Sequence, residues 1–137
     1  MNRFRVLAVR WLPLFIWMSL IFVVSHQSKT AIPSYGQWDL LVKKSGHFLA
    51  YSILALLAYR AGLSVTASLL LSVAYAASDE LHQRLVPGRN GTAVDVLIDA
   101  LGATMALYLL RLSHRSWHVF QWDRINTPDE QSPHDAL

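Results

Sequence analysis

Cysteine is absent from this 137-residue chain, which excludes disulfide bonds and thiolate metal sites. Charge is also scarce, because charged residues make up 15% of the chain, against about 25% in an average soluble domain. So few charged groups cannot cover the surface of a soluble particle, and hydrophobic residues reach 53%. The composition therefore predicts a membrane protein with a single domain.

Basic residues give the chain a formal net charge of only +3, and they are scattered along it. A nucleic-acid-binding domain would gather them in a stripe or a patch. We therefore expect no nucleic-acid partner, and we expect some of the positive charge to face anionic lipid.

Four apolar runs are close to the length of about 20 residues that crosses a bilayer as a helix. They cover residues 6–24, 46–63, 63–77 and 92–110. We predict an all-α polytopic membrane protein, with a four-transmembrane-helix bundle in residues 1–112 and polar motif loops at one membrane face. Residues 26–45 are predicted to form a polar connector along the membrane interface, and residues 113–137 a polar, interfacial and disordered tail.

The first apolar run has a second interpretation as a signal peptide, because arginines precede it and Val23-x-Ser25 is a weak cleavage site. Its length favours a membrane span. Four spans place both termini on one side of the membrane. Lysine and arginine are slightly more frequent on that side, which predicts cytoplasmic termini. Gly102 and Ala106 form a small-xxx-small face, which allows a homo-oligomer without requiring one.

Ionisable residues concentrate in residues 78–99, between the last two predicted spans. Such groups are costly beside a bilayer and usually mark function. Asp79, Glu80 and Gln83 fall within about one helical turn, where two acids meet the negative end of the helix dipole. We therefore favour Glu80 as an acid or base, and Gln83 as a ligand contact, over a solvated helix end.

Lys44, His47 and Tyr51 are spaced to share one helical face at the start of the second span. They predict either the lining of a pocket, with His47 as a base near neutral pH, or an interfacial anchor for the helix end. Their spacing fits both interpretations equally well.

Arg89, Asp95 and Asp99 complete the polar set. Arg89 follows a Pro-Gly turn, and its guanidinium suits either an anionic headgroup or an ion pair with Glu80 or Asp95. Asp95 fits a capping box with Thr92, and Asp99 lies one turn deeper on the same face. An acid at that depth needs a partner. The candidate partners are Lys44, His47 and Arg89.

Motifs for metal binding and for nucleophilic catalysis are missing from the sequence. It has no His-Glu-x-x-His pair, no glycine-rich phosphate loop and no Gly-x-Ser-x-Gly elbow. We therefore expect no metal site and no cofactor. The side chains that a metal would have available are His47, Glu80, His82, Asp95 and Asp99.

Several short motifs occur in a distinctive order. Lys44-x-x-His47-Phe48-x-x-Tyr51 precedes a span, and then come Asp79-Glu80-Leu81-His82-Gln83, Pro87-Gly88-Arg89, Asp95 and Gly102. Ser25-x-Gln27 stands after the first span. In this order and spacing the chain, from the first span to about Leu110, resembles the VanZ-like family of small bacterial membrane proteins.

The resemblance implies a multi-pass protein of the bacterial cytoplasmic (inner) membrane with a polar cluster. The implied cluster is Lys44, His47, Tyr51, Glu80, Gln83, Arg89 and Asp95. The family's namesake is associated with resistance to the glycopeptide teicoplanin, and the resemblance supplies no reaction. The family usually has asparagine where this chain has Asp99, so the charge of the site differs here.

These observations support two functional hypotheses. In the first, a non-enzymatic envelope protein binds membrane lipids or a lipid-linked anionic headgroup, such as that of a cell-wall precursor. Its ligand contacts would be Lys44, Tyr51, Gln83, Arg89 and Asp99. In the second, the protein is an enzyme that modifies such a headgroup, with His47 and Glu80 as acid and base and Asp95 orienting a partner.

Overall fold

The computed structural model describes residues 3–27 and 36–113, and within these ranges the chain forms helices and no strands. The helices are α1 (Arg3–His26), α2 (Asp39–Arg60), α3 (Val65–Gln83) and α4 (Ala93–Leu112), with one 3₁₀ turn (Gly36–Trp38) before α2. The prediction of an all-α helical bundle is confirmed. The predicted tail beyond residue 113 lies outside the described residues.

Three of the helices are long and apolar enough to cross a membrane, over Leu7–His26, Leu40–Arg60 and Ala93–Leu112. Many of their large apolar side chains point away from the bundle, as Ile16 and Leu101 do at 58% and 63% exposure. Such a surface suits lipid as the solvent. The fourth helix, α3, does not join this set, and its last turns carry the acids that begin the polar stretch.

The predicted connector is wrong at its C-terminal end, because α2 begins at Asp39 and continues through residue 45. Nothing from Asp39 to Ser45 breaks a helix, and lysine and leucine are good helix formers. The extension places Lys44 and His47 within the first three turns of α2, where both side chains project from a regular helix.

The turns between helices follow sequence signals. Gly62 ends α2 with φ +107°, a left-handed conformation that glycine adopts without strain. Ser64 caps α3 by accepting a hydrogen bond from the Ala67 amide at 3.1 Å. Thr92 caps α4 in the same way, through the Asp95 amide at 3.2 Å.

Helix α2 lies at the centre of the bundle and has its most extensive contacts with α4. Gly102 makes the close approach of these two helices possible, because a Cβ there would collide with the backbone carbonyl of Phe48. The Ser52 hydroxyl lies 2.8 Å from the Phe48 carbonyl oxygen and 2.9 Å from that of Gly102, so it ties the two helices together. The predicted small-residue face is therefore used inside the bundle.

The polar residues gather at one end of the bundle. The C-terminal ends of α1 and α3 meet the N-terminal turns of α2 and α4 there. This is the arrangement expected of antiparallel neighbours joined by short loops. The prediction that the motif residues lie together at one end is confirmed for all of the described helices.

Candidate functional site

His47 stands at the centre of the polar end of the bundle. Its Nδ1 lies 3.4 Å from Oδ1 of Asp99 on α4 and 3.9 Å from Oε1 of Glu80 on α3. The imidazole also stacks on Tyr51 one turn along α2, with ring centroids 6.5 Å apart. Of the three partners predicted for Asp99, the structure therefore selects His47.

Asp79 and Glu80 are buried side by side beneath His47, at 4% and 3% exposure. The Gln83 amide nitrogen donates to both carboxylates, at 3.1 Å to Asp79 and 3.2 Å to Glu80. Asp79 also accepts a hydrogen bond of 2.8 Å from the Ser25 hydroxyl at the end of α1. These contacts offset the unfavourable position of two acids at the negative end of a helix.

Glu80 reaches across to the start of α4, where its Oε2 accepts the Thr92 amide at 3.0 Å. In a capping box, that amide would bind the acid three residues later on its own helix. Here Asp95 instead accepts the Thr92 hydroxyl at 2.7 Å and pairs with Lys44 at 3.1 Å. The predicted cap is confirmed. Glu80 accepts the hydrogen bond from the Thr92 amide that Asp95 would accept in a complete capping box.

The environment of Glu80 favours its protonated form. Glu80 follows the apolar part of α3 and lies outside the three candidate spans. Burial raises the pKa of its carboxyl above the ordinary value, and the hydrogen bond from the Thr92 amide partly opposes that effect. Glu80 is thus a group that can hold or release a proton nearer neutral pH than an exposed glutamate does.

Arg89 has a structural connection that the sequence did not suggest. Its Nη1 lies within hydrogen-bonding distance of three carbonyl oxygens at the end of α1, at 3.0 Å from Val24, 2.7 Å from Ser25 and 3.2 Å from Gln27. A helix leaves the carbonyls of its last turn without their usual intrahelical partners. The Val24 carbonyl also accepts the Gln27 amide at 3.3 Å. Arg89 therefore ties the loop before α4 to the end of α1.

Two cavities lie at this end of the bundle. A mostly apolar cavity of about 280 Å³ lies between α1 and α2. A smaller polar cavity of about 170 Å³ is lined by Lys43, Lys44, His47, Gln83, Arg89, Asn90 and Asp95, together with Leu40. Lys43, His47 and Arg89 line both cavities. An apolar space and a polar one are therefore neighbours, with three ionisable side chains in the walls of both.

A comparison of the sequence with known protein families gave a match. The family model described as VanZ/LLP1 matches residues 7–114, which is most of the chain. The chain belongs to the VanZ/LLP1 family. Curated proteins and solved structures gave no match. The family and the apolar helices together identify a VanZ-like membrane protein.

The VanZ-like motifs come together in space. His47, Gln83, Arg89 and Asp95 all line the polar cavity, and Glu80 lies directly behind His47. Tyr51 is fully buried below His47 and lines the apolar cavity. Among the described residues, the Tyr51 hydroxyl has no hydrogen-bond partner. The ligand-binding and catalytic roles of these residues remain predictions.

Three residues of this VanZ-like site were not predicted to belong to it: Ser25, Lys43 and Asp79. Ser25 stands in the Ser-x-Gln motif after the first span, which was a usable signal. Asp79 differs from the chosen Glu80 only by one position in the same turn, and both are buried. His82 lies apart from the site, because its ring packs in a tilted arrangement against Phe22 and its Nε2 contacts His26 at 3.1 Å.

Proposed function

We propose that this VanZ-like protein binds an amphiphilic membrane lipid or a lipid-linked cell-wall precursor. The anionic headgroup occupies the polar cavity, and the acyl or prenyl chain occupies the apolar cavity. The observation that carries the proposal is that the two cavities share Lys43, His47 and Arg89 in their walls. A ligand with one charged end and one apolar end fits two such neighbouring cavities, whereas a small soluble anion would leave the apolar cavity empty.

The charge of the polar cavity supports an anionic headgroup. Three cationic side chains, Lys43, Lys44 and Arg89, line it beside one carboxylate, that of Asp95. Asp95 pairs with Lys44, and the partners of Arg89 are neutral carbonyl oxygens, so the Arg89 guanidinium adds positive charge to the cavity wall. Ammonium and guanidinium groups beside an aqueous opening are common partners of phosphate.

Lipid binding is tested by native mass spectrometry of the purified protein with phosphatidylglycerol or phosphatidylcholine. We expect saturable binding of the anionic lipid, weakened in Lys43→Gln and in Arg89→Lys. Lysine at position 89 keeps a donor for the α1 carbonyls, so a loss there reports on the headgroup. Arg111→Gln, a cation at the opposite end of α4, is the matched control and should not change binding. Equal binding of both lipids by all variants would rule out this site.

The proposal places the protein in the bacterial cytoplasmic (inner) membrane, with several passes, cytoplasmic termini and the polar cavity facing outward. The chain has no cysteine, so single cysteines can be introduced without background. Asn90→Cys, beside the polar cavity, should react in whole cells with a maleimide that does not cross membranes. Ser113→Cys, beyond the other end of α4, should react only after lysis. The reverse pattern would invert the proposed orientation.

A second candidate function is chemistry on the bound headgroup. It is favoured by the position of His47, whose Nδ1 lies 3.9 Å from Glu80 and 3.4 Å from Asp99, close enough for proton transfer through small adjustments or one water. His47 and Glu80 would act as base and acid, and Asp95 would orient Lys44 toward the anion. Mass spectrometry of envelope lipids incubated with the protein should then show a product. His47→Gln should bind lipid but form no product.

The proposal also includes a link to glycopeptide susceptibility. It rests on the VanZ-like family and on the precursor as one of the two ligand classes. Cells that express the protein should need more teicoplanin for inhibition than cells that express the Arg89→Lys variant at equal level. Equal inhibition would show that this protein does not confer that phenotype, and it would leave the lipid-binding proposal unchanged.

A further inference from the structure

Three side chains from α2 and α3 converge at the buried centre of the site. One ligand atom each from His47, Asp79 and Glu80 lies within 4.8 Å of the other two. Both carboxylates are buried, and His47 is partly buried. Ligand atoms about 2.1 Å from one tetrahedral metal are about 3.4 Å apart. The three atoms therefore have to move toward one another by up to about 1.4 Å to share one cation.

Unpartnered polar atoms point to a missing partner at the same place. Asp99 is fully buried, its Oδ1 is within ion-pair distance of Nδ1 of His47 at 3.4 Å, and its Oδ2 has no hydrogen-bond partner among the described residues. Oδ1 of Asp79 is buried and likewise lacks one within the described ranges. Leaving such groups unsatisfied in a buried place is unfavourable, and more so when they are charged. A cation beside them would remove that cost.

Outer hydrogen bonds already hold the carboxylates in position. Ser25 and Gln83 both donate to Oδ2 of Asp79, which leaves Oδ1 as its unpartnered oxygen. The Thr92 amide fixes Oε2 of Glu80. Metal ligands are characteristically oriented by such outer bonds, and losing one typically lowers metal affinity by about 10- to 100-fold.

The charges around this group favour a cation over a neutral hydrogen-bond donor as the additional partner. Asp79, Glu80 and Asp99 surround the single imidazole of His47. The nearby cations are engaged in other contacts, because Lys44 pairs with Asp95 and Arg89 bonds to the carbonyls of α1. A nitrogen ligand among carboxylates suits Zn²⁺ or Mn²⁺ better than Ca²⁺ or Mg²⁺, which prefer oxygen ligands alone.

We propose that His47, Asp79 and Glu80 bind one divalent transition-metal cation, Zn²⁺ or Mn²⁺, with Asp99 as the adjacent fourth donor. This inference revises the expectation of no metal site, which was made without Asp79. It does not depend on lipid binding, so its test is made without added lipid.

The test is calorimetric titration of the purified protein, stripped with EDTA and checked for native helicity, with Zn²⁺ and separately with Mn²⁺. We expect one saturable site per chain for at least one of the two cations. Asp79→Asn and Glu80→Gln should each weaken it at least about tenfold. His82→Gln is the matched control, because this histidine lies on α3 close in sequence to Asp79 but its Nε2 contacts His26 outside the site. It should leave the affinity unchanged.

A spectroscopic readout identifies the nitrogen ligand. Electron spin-echo modulation of the Mn²⁺-loaded protein should show one imidazole nitrogen that disappears in His47→Gln. Two results would overturn the proposal: no saturable binding of either cation by the wild-type protein, or binding that all of the ligand variants retain. Histidines elsewhere in the chain would give the second result.

Discussion

At the scale of single residues, the site is built from side chains that also form hydrogen bonds or ion pairs with other parts of the chain. Glu80 binds the Thr92 amide, Arg89 binds the end of α1, and Asp95 binds both Thr92 and Lys44. Structural and functional roles therefore overlap in the same residues. Simple alanine variants would remove both roles at once, so conservative substitutions separate them better.

Asp99 is fully buried, with Nδ1 of His47 at 3.4 Å from its Oδ1. Asp99→Asn keeps the volume and removes the charge, so in the EDTA-stripped protein it should raise the free energy of unfolding by about 1 kcal/mol. Thermal unfolding in detergent, followed by circular dichroism, measures this change. Asp95→Asn is the control of opposite sign, because it loses an ion pair and part of a helix cap and should lower stability by a similar amount. A loss of stability in Asp99→Asn would mean that the carboxylate is well paired without a metal.

Residue spacing predicted part of this network and not the rest. The i, i+3 and i+7 spacing of Lys44, His47 and Tyr51 placed them on one face of α2, and the structure confirms that face. The cap formed by Thr92 and Asp95 was also predictable, because it is local in sequence. The bonds of Arg89 to α1 join residues more than 60 positions apart, and no local pattern encodes them.

At the scale of helices, the close contact of α2 with α4 fixes the distance across which His47 meets Asp99. Gly102→Ala would place a Cβ against the Phe48 carbonyl, on backbone atoms that cannot rotate away. We expect it to lower the free energy of unfolding by about 1–3 kcal/mol. Gly46→Ala is the matched control, since a Cβ at this helical glycine meets nothing within 4 Å. It should be neutral or stabilising by up to about 1 kcal/mol. Equal thermal stability of both variants would show that the helices do not approach so closely.

Helix boundaries were predicted where caps are present and misplaced where they are not. Thr92 marked the start of α4 correctly, and the apolar run predicted from residue 63 begins close to the start of α3 at Val65, which Ser64 caps. The start of α2 lacks a side-chain cap, and hydropathy alone placed it seven residues late, at Gly46 instead of Asp39. The error arose because lysines lower hydropathy without weakening a helix.

At the scale of the whole molecule, the bundle combines a lipid-facing surface with one polar end. The shortage of charge predicted the first property, and the order of the motifs predicted the second. The cavities were not predictable, because they depend on how α1 lies against α2. Trp17 fixes part of that arrangement by donating its indole N–H to the Ala50 carbonyl at 2.9 Å. The apolar cavity lies between these two helices.

The central claim is that one amphiphile occupies both cavities, and photo-crosslinking tests it most directly. A phosphatidylglycerol with a photoactivatable group in its acyl chain is added to the protein in nanodiscs, and labelled peptides are identified by mass spectrometry. We predict labelling concentrated on Leu20, Ile21 and Ala50 in the apolar cavity, and reduced there by Lys43→Gln. Labelling spread evenly over outward residues such as Leu101 and Leu109, and unchanged in the variant, would contradict the account.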